Sequence, residues 1–105
     1  MRRVKIWKEV KMIIKEPWYP VNDIKEKQQL ENELRVEINN GHLLYNKNVS
    51  AIIRRYDCDD VVYQLSDNLY ALVHLTWSGK VESNSKCPST TIYKTLDEIY
   101  NNPDE

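Results

Sequence analysis

The chain has 105 residues, which is enough for one domain with a real core and too few for two ordinary domains. Its formal net charge is -1, and no stretch approaches the roughly 18 consecutive apolar residues of a membrane span. Lysines interrupt the N-terminal residues, so a signal-peptide core is missing there. These features exclude a membrane protein, and we expect a soluble, cytoplasmic protein.

The charge is unevenly distributed along the chain. Residues 1–15 carry six basic side chains and one acidic side chain, whereas the rest of the chain is acidic. A basic patch with interleaved aromatic residues is missing, so we do not predict nucleic-acid binding. Apolar residues alternate over residues 4–14, which favours a strand, although a helical stripe fits part of the same segment. We therefore divide the chain into a basic N-terminal segment at 1–16, one domain at 17–101 and a frayed tail at 102–105.

The stretch "EPWYP" interrupts this pattern, because Pro17 and Pro20 remove backbone donors and restrict the residues before them. We expect a rigid extended turn here. Trp18 and Tyr19 would then cover the core or, as the alternative, form a platform for a ligand.

The stretch "VNDIKEKQQLENELRVEINNG" has the start, periodicity and stop of a helix over residues 23–39. Asp23, or its neighbour Asn22, is a suitable N-cap, and Glu26 lies three residues after Asp23 as a capping box prefers. Gly41 is a candidate for the left-handed C-terminal cap.

The faces of this predicted helix differ in character. One sector is apolar and is formed by Ile24, Leu30, Leu34 and Ile38. The opposite face is charged and includes Glu31 and Arg35 at i,i+4 spacing. We expect the charged face to be solvated.

Four β-rich runs follow the helix: "VSAIIRRY", "VVYQL", "LYALVHLTW" and "TTIYKT". The first three are separated by short turns, which predicts an antiparallel meander because parallel neighbours need long crossovers. A helix across one face of this sheet gives a two-layer α+β fold. "LDEIY" could add a short closing helix.

The turn at residues 66–68 determines how the second and third of these runs pair. A three-residue hairpin loop ends in a left-handed residue, and Asn68 suits that position. The resulting register places His74 directly across from Asp60 on a mixed face of the sheet. A slip by one residue would put Gln64 into the apolar core, so the pattern disfavours it.

The pairing of His74 with Asp60 suggests two interpretations. The first is an ordinary sheet contact, and the second is a general base or ligand whose second ring nitrogen is free. Thr76 follows His74 on the same face, but the elbow or glycine-rich loop of a nucleophile is missing. His42 and the "DCDD" stretch offer metal-ligand types without a metal-binding spacing. We predict no cofactor and no metal.

Cys58 and Cys87 stand apart from each other without a C-x-x-C motif. Disulfides are rare in reducing compartments. We therefore predict two free thiols.

Several stretches resemble one family of small bacterial proteins: "DCDDVVYQLSDNLYALVHLTWSG", "CPSTTIY", "WYPVND" and "GHLLY". The likeness covers roughly residues 17–95 and leaves the basic N-terminal segment outside it. The resemblance implies that these pieces belong to one domain, and it carries no activity, because the family is uncharacterised. Cys87 stands where the pattern leads us to expect a tryptophan.

Two classes of function are compatible with this sequence. The first is a non-enzymatic protein that binds another protein, such as a partner-masking or immunity-type protein, and a weak homodimer is compatible with it. Its candidate surface residues are Asp59, Trp18 and Trp77, together with the mixed sheet face. The second is a small enzyme or ligand-binding domain centred on His74 and Asp60, with His42 as a further candidate. A deep pocket at His74 would favour the second class.

Overall fold

The computed structural model describes residues 16–101, where a short strand and a helix precede four consecutive strands and a second helix. In chain order the elements are β1 (Trp18–Pro20), α1 (Ile24–Glu37), β2 (Val49–Arg55), β3 (Asp60–Leu65), β4 (Tyr70–His74), β5 (Ser89–Tyr93) and α2 (Leu96–Tyr100). The strand expected at residues 4–14 and the tail at 102–105 lie outside the described residues.

The five strands form one sheet in the order β1-β2-β3-β4-β5, and every neighbouring pair is antiparallel. The predicted α+β class with a β-meander is therefore confirmed. The β3–β4 register is also as predicted, with Asp60 opposite His74 and Gln64 opposite Tyr70. Asn68 adopts φ 63°, the left-handed conformation that closes this hairpin.

One face of the sheet packs against α1. Leu30 and Leu34 are fully buried and share a cluster with sheet residues that include Val61 and Val73. The buried Tyr63 hydroxyl donates a hydrogen bond of 2.7 Å to the Leu30 carbonyl oxygen. The main core therefore lies between α1 and the sheet.

The C-terminal end of α1 differs from the prediction, whereas its N-terminal end is as predicted. Asp23 is the N-cap and accepts the Lys25 N–H, but the helix ends at Glu37, and Ile38 is already extended. Gly41 does not cap the helix. Its role is close approach, because a Cβ on Gly41 would lie 3.0 Å from the Ser85 Cβ. Ile24 is 68% exposed, so its place in the apolar sector was wrong.

The "EPWYP" stretch begins with a turn at Glu16 and Pro17, and its last three residues form an edge strand of the sheet. Trp18 lies opposite Arg55 of β2, and Pro20 lies opposite Ile53. Proline is tolerated at the edge of a sheet, and within residues 16–101 the neighbour of β1 is β2. Trp18 is buried, as expected for a residue that covers the core.

The second face of the sheet carries its own small core under α2. Thr95 and Glu98 form a capping box that starts this helix. Ile99 is fully buried in a cluster with Trp18, Val62 and other sheet residues. The structure thus adds a partial third layer to the expected helix and sheet.

Candidate functional site

A row of polar side chains crosses three neighbouring strands near the end of the second sheet face. Asp60 on β3 lies opposite His74 on β4, and His74 lies opposite Ser89 on β5. Directly opposed residues of antiparallel strands point to the same side, with Cβ atoms about 4.5–5.5 Å apart. We call Asp60, His74 and Ser89 the polar row.

The first two members of the polar row are joined by a short hydrogen bond. His74 Nδ1 lies 2.7 Å from Asp60 Oδ1. Asp60 is buried, whereas the His74 side chain is 59% exposed. With Nδ1 donating to the carboxylate, the neutral ring keeps Nε2 as an acceptor on the open side. His74 is therefore oriented like a general base, but it lies at the surface rather than at the bottom of a deep pocket.

Two of the other candidate residues lie close to this row in the sheet. Trp18 is buried and carries the Arg55 guanidinium over its ring at 5.5 Å, so it belongs to the core rather than to a ligand platform. Arg55 also forms two hydrogen bonds with Asp57, at 2.8 and 2.7 Å. Asp59 is exposed, and its carbonyl accepts the Leu75 N–H.

His42 has a structural role. It is buried, and its Nδ1 accepts the Leu44 backbone N–H at 3.0 Å. Nε2 must then carry the proton, and it lies 3.0 Å from the Pro88 carbonyl oxygen, which also accepts the Thr90 hydroxyl. His42 thus fixes the segment that enters β5, immediately beside Ser89.

Thr76 and Trp77 belong to a loop at residues 76–82 that lies on the α1 side of the sheet; we call it the Trp77 loop. The two oxygens of the Glu37 carboxyl accept the N–H groups of Thr76 at 3.0 Å and Trp77 at 2.7 Å. Glu33 accepts the Gly79 N–H at 3.1 Å. Thr76 therefore lies on the α1 side of the sheet. The expectation from the sequence, that Thr76 shares the His74 face, was wrong.

Glu37 is fully buried at the base of this loop. Burial raises the pKa of its carboxyl to about 7, and a hydrogen bond with Glu33 adds to the shift, while the Thr76 and Trp77 N–H groups oppose it. On the loop itself, hydrogen bonds from Thr76 and Ser78 lower the pKa of Glu82. Two helix carboxyls and one loop carboxylate thus lie around the loop.

The Trp77 backbone has φ 57°, a left-handed conformation that is uncommon for a bulky residue. Its side chain is 41% exposed, and the Arg54 guanidinium lies 5.7 Å from the ring centroid. Arg54 in turn pairs with Glu26 at 3.1 Å, and Glu26 accepts the Tyr19 hydroxyl at 2.6 Å. Burial and this hydrogen bond raise the pKa of Tyr19.

A β-bulge explains why Arg54 reaches Trp77 while Arg55 reaches Trp18. The β2–β3 register shifts between Ala51 and Ile53, which leaves one extra residue in β2. The shift turns Ala51 toward α1 and Ile53 toward α2. After the bulge, Arg54 lies on the α1 face of the sheet and Arg55 on the α2 face.

The sequence did not identify Glu37, Arg54 or Ser89 as site residues. Glu37 is one of many acids on α1, and its burial depends on the docking of the Trp77 loop. Arg54 could be assigned to a face only once the bulge was known. Ser89 is separated from β4 by a segment too long to define a register.

Other kinds of site find little support in the described residues. Within residues 16–101, no three or more His, Cys, Asp or Glu side chains are grouped to hold a metal ion. Cys58 and Cys87 are both free, as predicted, and burial raises the pKa of the Cys58 thiol. In this part of the chain no helix has the length and apolar character needed to cross a bilayer.

The chain was compared with protein-family models, curated proteins and solved structures, and none of the three comparisons finds a match.

Proposed function

We propose that this protein is a small protein-binding module whose contact surface is centred on Trp77 and that acts without a chemical step. One observation carries this proposal. A large aromatic side chain is left 41% exposed while its backbone is held in a left-handed conformation by a buried carboxyl.

Holding Trp77 in this way has an energetic cost. A non-glycine residue in the left-handed region costs about 1–3 kcal/mol, and such strain is concentrated at functional positions. The Glu37 contacts offset the strain but leave the indole at the surface. Tryptophan and arginine are enriched among the residues that dominate binding energy at protein interfaces. Trp77 with Arg54 beneath it has this composition.

The surroundings of Trp77 suit a partner with an apolar centre and a basic rim. Val36 and Val81 are 40% and 59% exposed, and they are next in sequence to Glu37 and Glu82, whose backbones are joined by a 2.8 Å hydrogen bond. Residues 16–101 carry nine basic and thirteen acidic side chains. Complementary charge favours a basic partner surface, as expected of a partner-masking or immunity-type protein.

The test compares the full chain with Trp77→Ala and with the matched control Ile24→Ala. Ile24 is 68% exposed and takes no part in the contacts described around Trp77 and Arg54. Proteins captured by the tagged wild type are identified by mass spectrometry, and the affinity of each purified candidate is measured by calorimetry. We expect Trp77→Ala to weaken binding by about 30-fold or more and Ile24→Ala to leave it unchanged.

Equal affinities of the wild type and Trp77→Ala for every captured protein would refute the proposed surface. Sedimentation of the purified chain over a range of concentrations distinguishes a foreign partner from a second copy.

We also propose a cytoplasmic location, because the unbridged cysteines fit a reducing compartment.

A further inference from the structure

The first half of the Trp77 loop is fastened to α1 by two carboxyl groups. The Glu37 carboxyl accepts the N–H groups of Thr76 and Trp77, at 3.0 and 2.7 Å. One turn earlier in α1, the Glu33 carboxyl accepts the Gly79 N–H at 3.1 Å. The position of Trp77 therefore depends on the state of these two side chains.

The two carboxyl groups are also hydrogen-bonded to each other. Such a bond needs a proton on one of them, because two carboxylates can only accept. Glu37 is fully buried, so a charge on it would lie away from water as well as beside Glu33. We propose that this shared proton is a latch that holds the Trp77 loop closed on α1, and that its loss as the pH rises opens the loop and withdraws Trp77 from its binding conformation. This inference rests on the proposed binding surface at Trp77, whose regulation it describes.

The backbone of the loop favours opening once the latch is lost. Trp77 and Gly79 have φ 57° and 71°, both left-handed. A bulky residue such as tryptophan stays in this region only where its surroundings hold it there. Without the bonds to Glu37, Trp77 relaxes to an ordinary conformation and its indole leaves Arg54, which lies 5.7 Å away in the closed loop.

The far end of the loop is attached without the latch. The Glu82 N–H donates to the Glu37 carbonyl oxygen at 2.8 Å, and the Asn39 side chain donates to the Glu82 carbonyl oxygen at 3.0 Å. The Thr76 and Ser78 hydroxyls donate to the Glu82 carboxylate, at 2.7 and 3.0 Å. The loop therefore moves as one unit that remains anchored at Glu82.

Charged and titratable groups surround Glu37 from each element packed near it. Besides Glu33 on α1, they are Arg54 on β2, Tyr63 on β3 and Glu82 on the loop. Arg54 stays protonated at every pH of interest. Burial raises the pKa of Tyr63 above its ordinary value of 10, and hydrogen bonds lower the pKa of Glu82 below 4.5. These three groups therefore keep their charge between pH 6 and 8.

The direction of the switch follows from proton linkage. In the closed loop the pKa of Glu37 is about 7, and in the open loop the carboxyl meets water and its pKa returns toward 4.5. The advantage that the proton gives to the closed loop is fully present below pH 4.5 and is lost as the pH rises through about 7. The ratio of open to closed loop should therefore rise about tenfold between pH 6 and pH 8.

Hydrogen exchange of the full chain without any partner tests the latch. NMR gives the protection factors of the Thr76 and Trp77 amides, which are corrected for the intrinsic pH dependence of exchange. We expect both protection factors to fall about tenfold from pH 6 to pH 8. Low concentrations of urea should leave them unchanged, because the opening is local.

Three variants isolate the shared proton. Glu37→Gln removes the titrating group and should give equal protection factors at pH 6 and pH 8. Asp67→Asn is the matched control, which removes an exposed carboxyl from the β3–β4 turn and should keep the tenfold fall. Glu33→Gln supplies an amide donor to Glu37, so that the bond needs no shared proton, and should move the fall to lower pH.

Equal protection factors at the two pH values in the wild type would overturn the latch, and so would a tenfold fall that persists in Glu37→Gln. If Glu37→Gln does not fold, the wild type and Glu33→Gln decide, because a fall at the same pH in both would overturn the shared proton. No partner takes part in these measurements. A failure of the latch is therefore distinct from a failure of the binding surface, which is judged by the affinity of Trp77→Ala.

Discussion

At the scale of single residues, Glu37 has the most unusual surroundings. Its carboxyl is fully buried, yet it faces Glu33 on α1 and accepts two N–H groups from the Trp77 loop. Tyr63, buried on the sheet side, also interacts electrostatically with Glu37. A carboxyl that is removed from water by burial holds its proton more tightly in the folded chain than in the unfolded one.

This difference predicts a pH dependence of stability. The pKa of Glu37 is about 7 in the folded chain and 4.5 in its ordinary state. The stabilisation from the bound proton is therefore fully present below pH 4.5 and is lost as the pH rises through about 7. In urea titrations between pH 5 and 8, we expect the free energy of unfolding to fall less with pH for Glu37→Gln than for the wild type. An unchanged slope would show that Glu37 does not titrate in this range.

The polar row shows how far a residue contact can be predicted. Loop length and the two-residue period of a strand were enough to pair Asp60 with His74, because a slip would have buried Gln64. Ser89 could not be added, since a long polar segment leaves the β4–β5 register open. The exposure of His74 could not be predicted either, because it depends on where α2 packs.

At the scale of elements, α1 is attached to the sheet by charged residues as well as by its apolar stripe. Lys27 donates to the Ala51 carbonyl oxygen at 2.9 Å, and Glu31 accepts the Ala51 N–H at 3.0 Å. Glu31 pairs with Lys27 at 3.3 Å, whereas Arg35 bonds to Asn32, so the expected Glu31–Arg35 pair does not form. The charged face of α1 is therefore only partly solvated, because Lys27 and Glu31 bond to the backbone of β2 at the bulge.

Two tyrosines give a matched test of how the helices are held. The Tyr63 hydroxyl bonds to α1, whereas the Tyr100 hydroxyl on α2 is buried with no partner among the described residues, and burial raises its pKa to about 12. Tyr63→Phe should lower the free energy of unfolding by about 1–2 kcal/mol, because a buried hydrogen bond between the sheet and α1 is lost. Tyr100→Phe should be neutral or stabilising. Chemical denaturation of both variants measures the difference, and equal losses would contradict these hydroxyl environments.

The position of α1 and its N-cap at Asp23 were predictable, and its C-terminal end was not. The spacing of Leu30 and Leu34 places the buried stripe whatever lies around the helix. The stop at Glu37 depends on the Trp77 loop, whose Glu82 N–H bonds to the Glu37 carbonyl oxygen at 2.8 Å. Helix ends depend on such tertiary contacts, which leave little local signal.

At the scale of the whole molecule, β3 is the centre of stability. It is the middle strand, and five of its six residues are buried. α1 and α2 cover the two faces that it shares with its neighbours. The protection of backbone amides against hydrogen exchange should therefore decrease from β3 toward the edges of the sheet.

Hydrogen exchange measured by NMR tests this order. We expect the amides of β3 to exchange only through global unfolding and those of β1 and of the Trp77 loop to exchange through smaller openings. The control is the urea dependence of the exchange rates. Exchange through global unfolding accelerates with urea, and exchange through local opening does not. Equal protection of β1 and β3 would contradict a stability gradient across the sheet.

The order of the strands has a consequence for how the chain reaches this structure. Each strand from β3 to β5 pairs with the strand before it in the chain, so these pairings close loops no longer than the segment between β4 and β5. Short loops lose little conformational entropy when they close, and contacts between residues near in sequence form quickly. β1 differs, because it meets β2 only after α1 and the following turns have been bridged. We therefore expect the β2–β4 meander to form early and to act as the template on which β1 and Trp18 are added last, so that the second core is completed after the first.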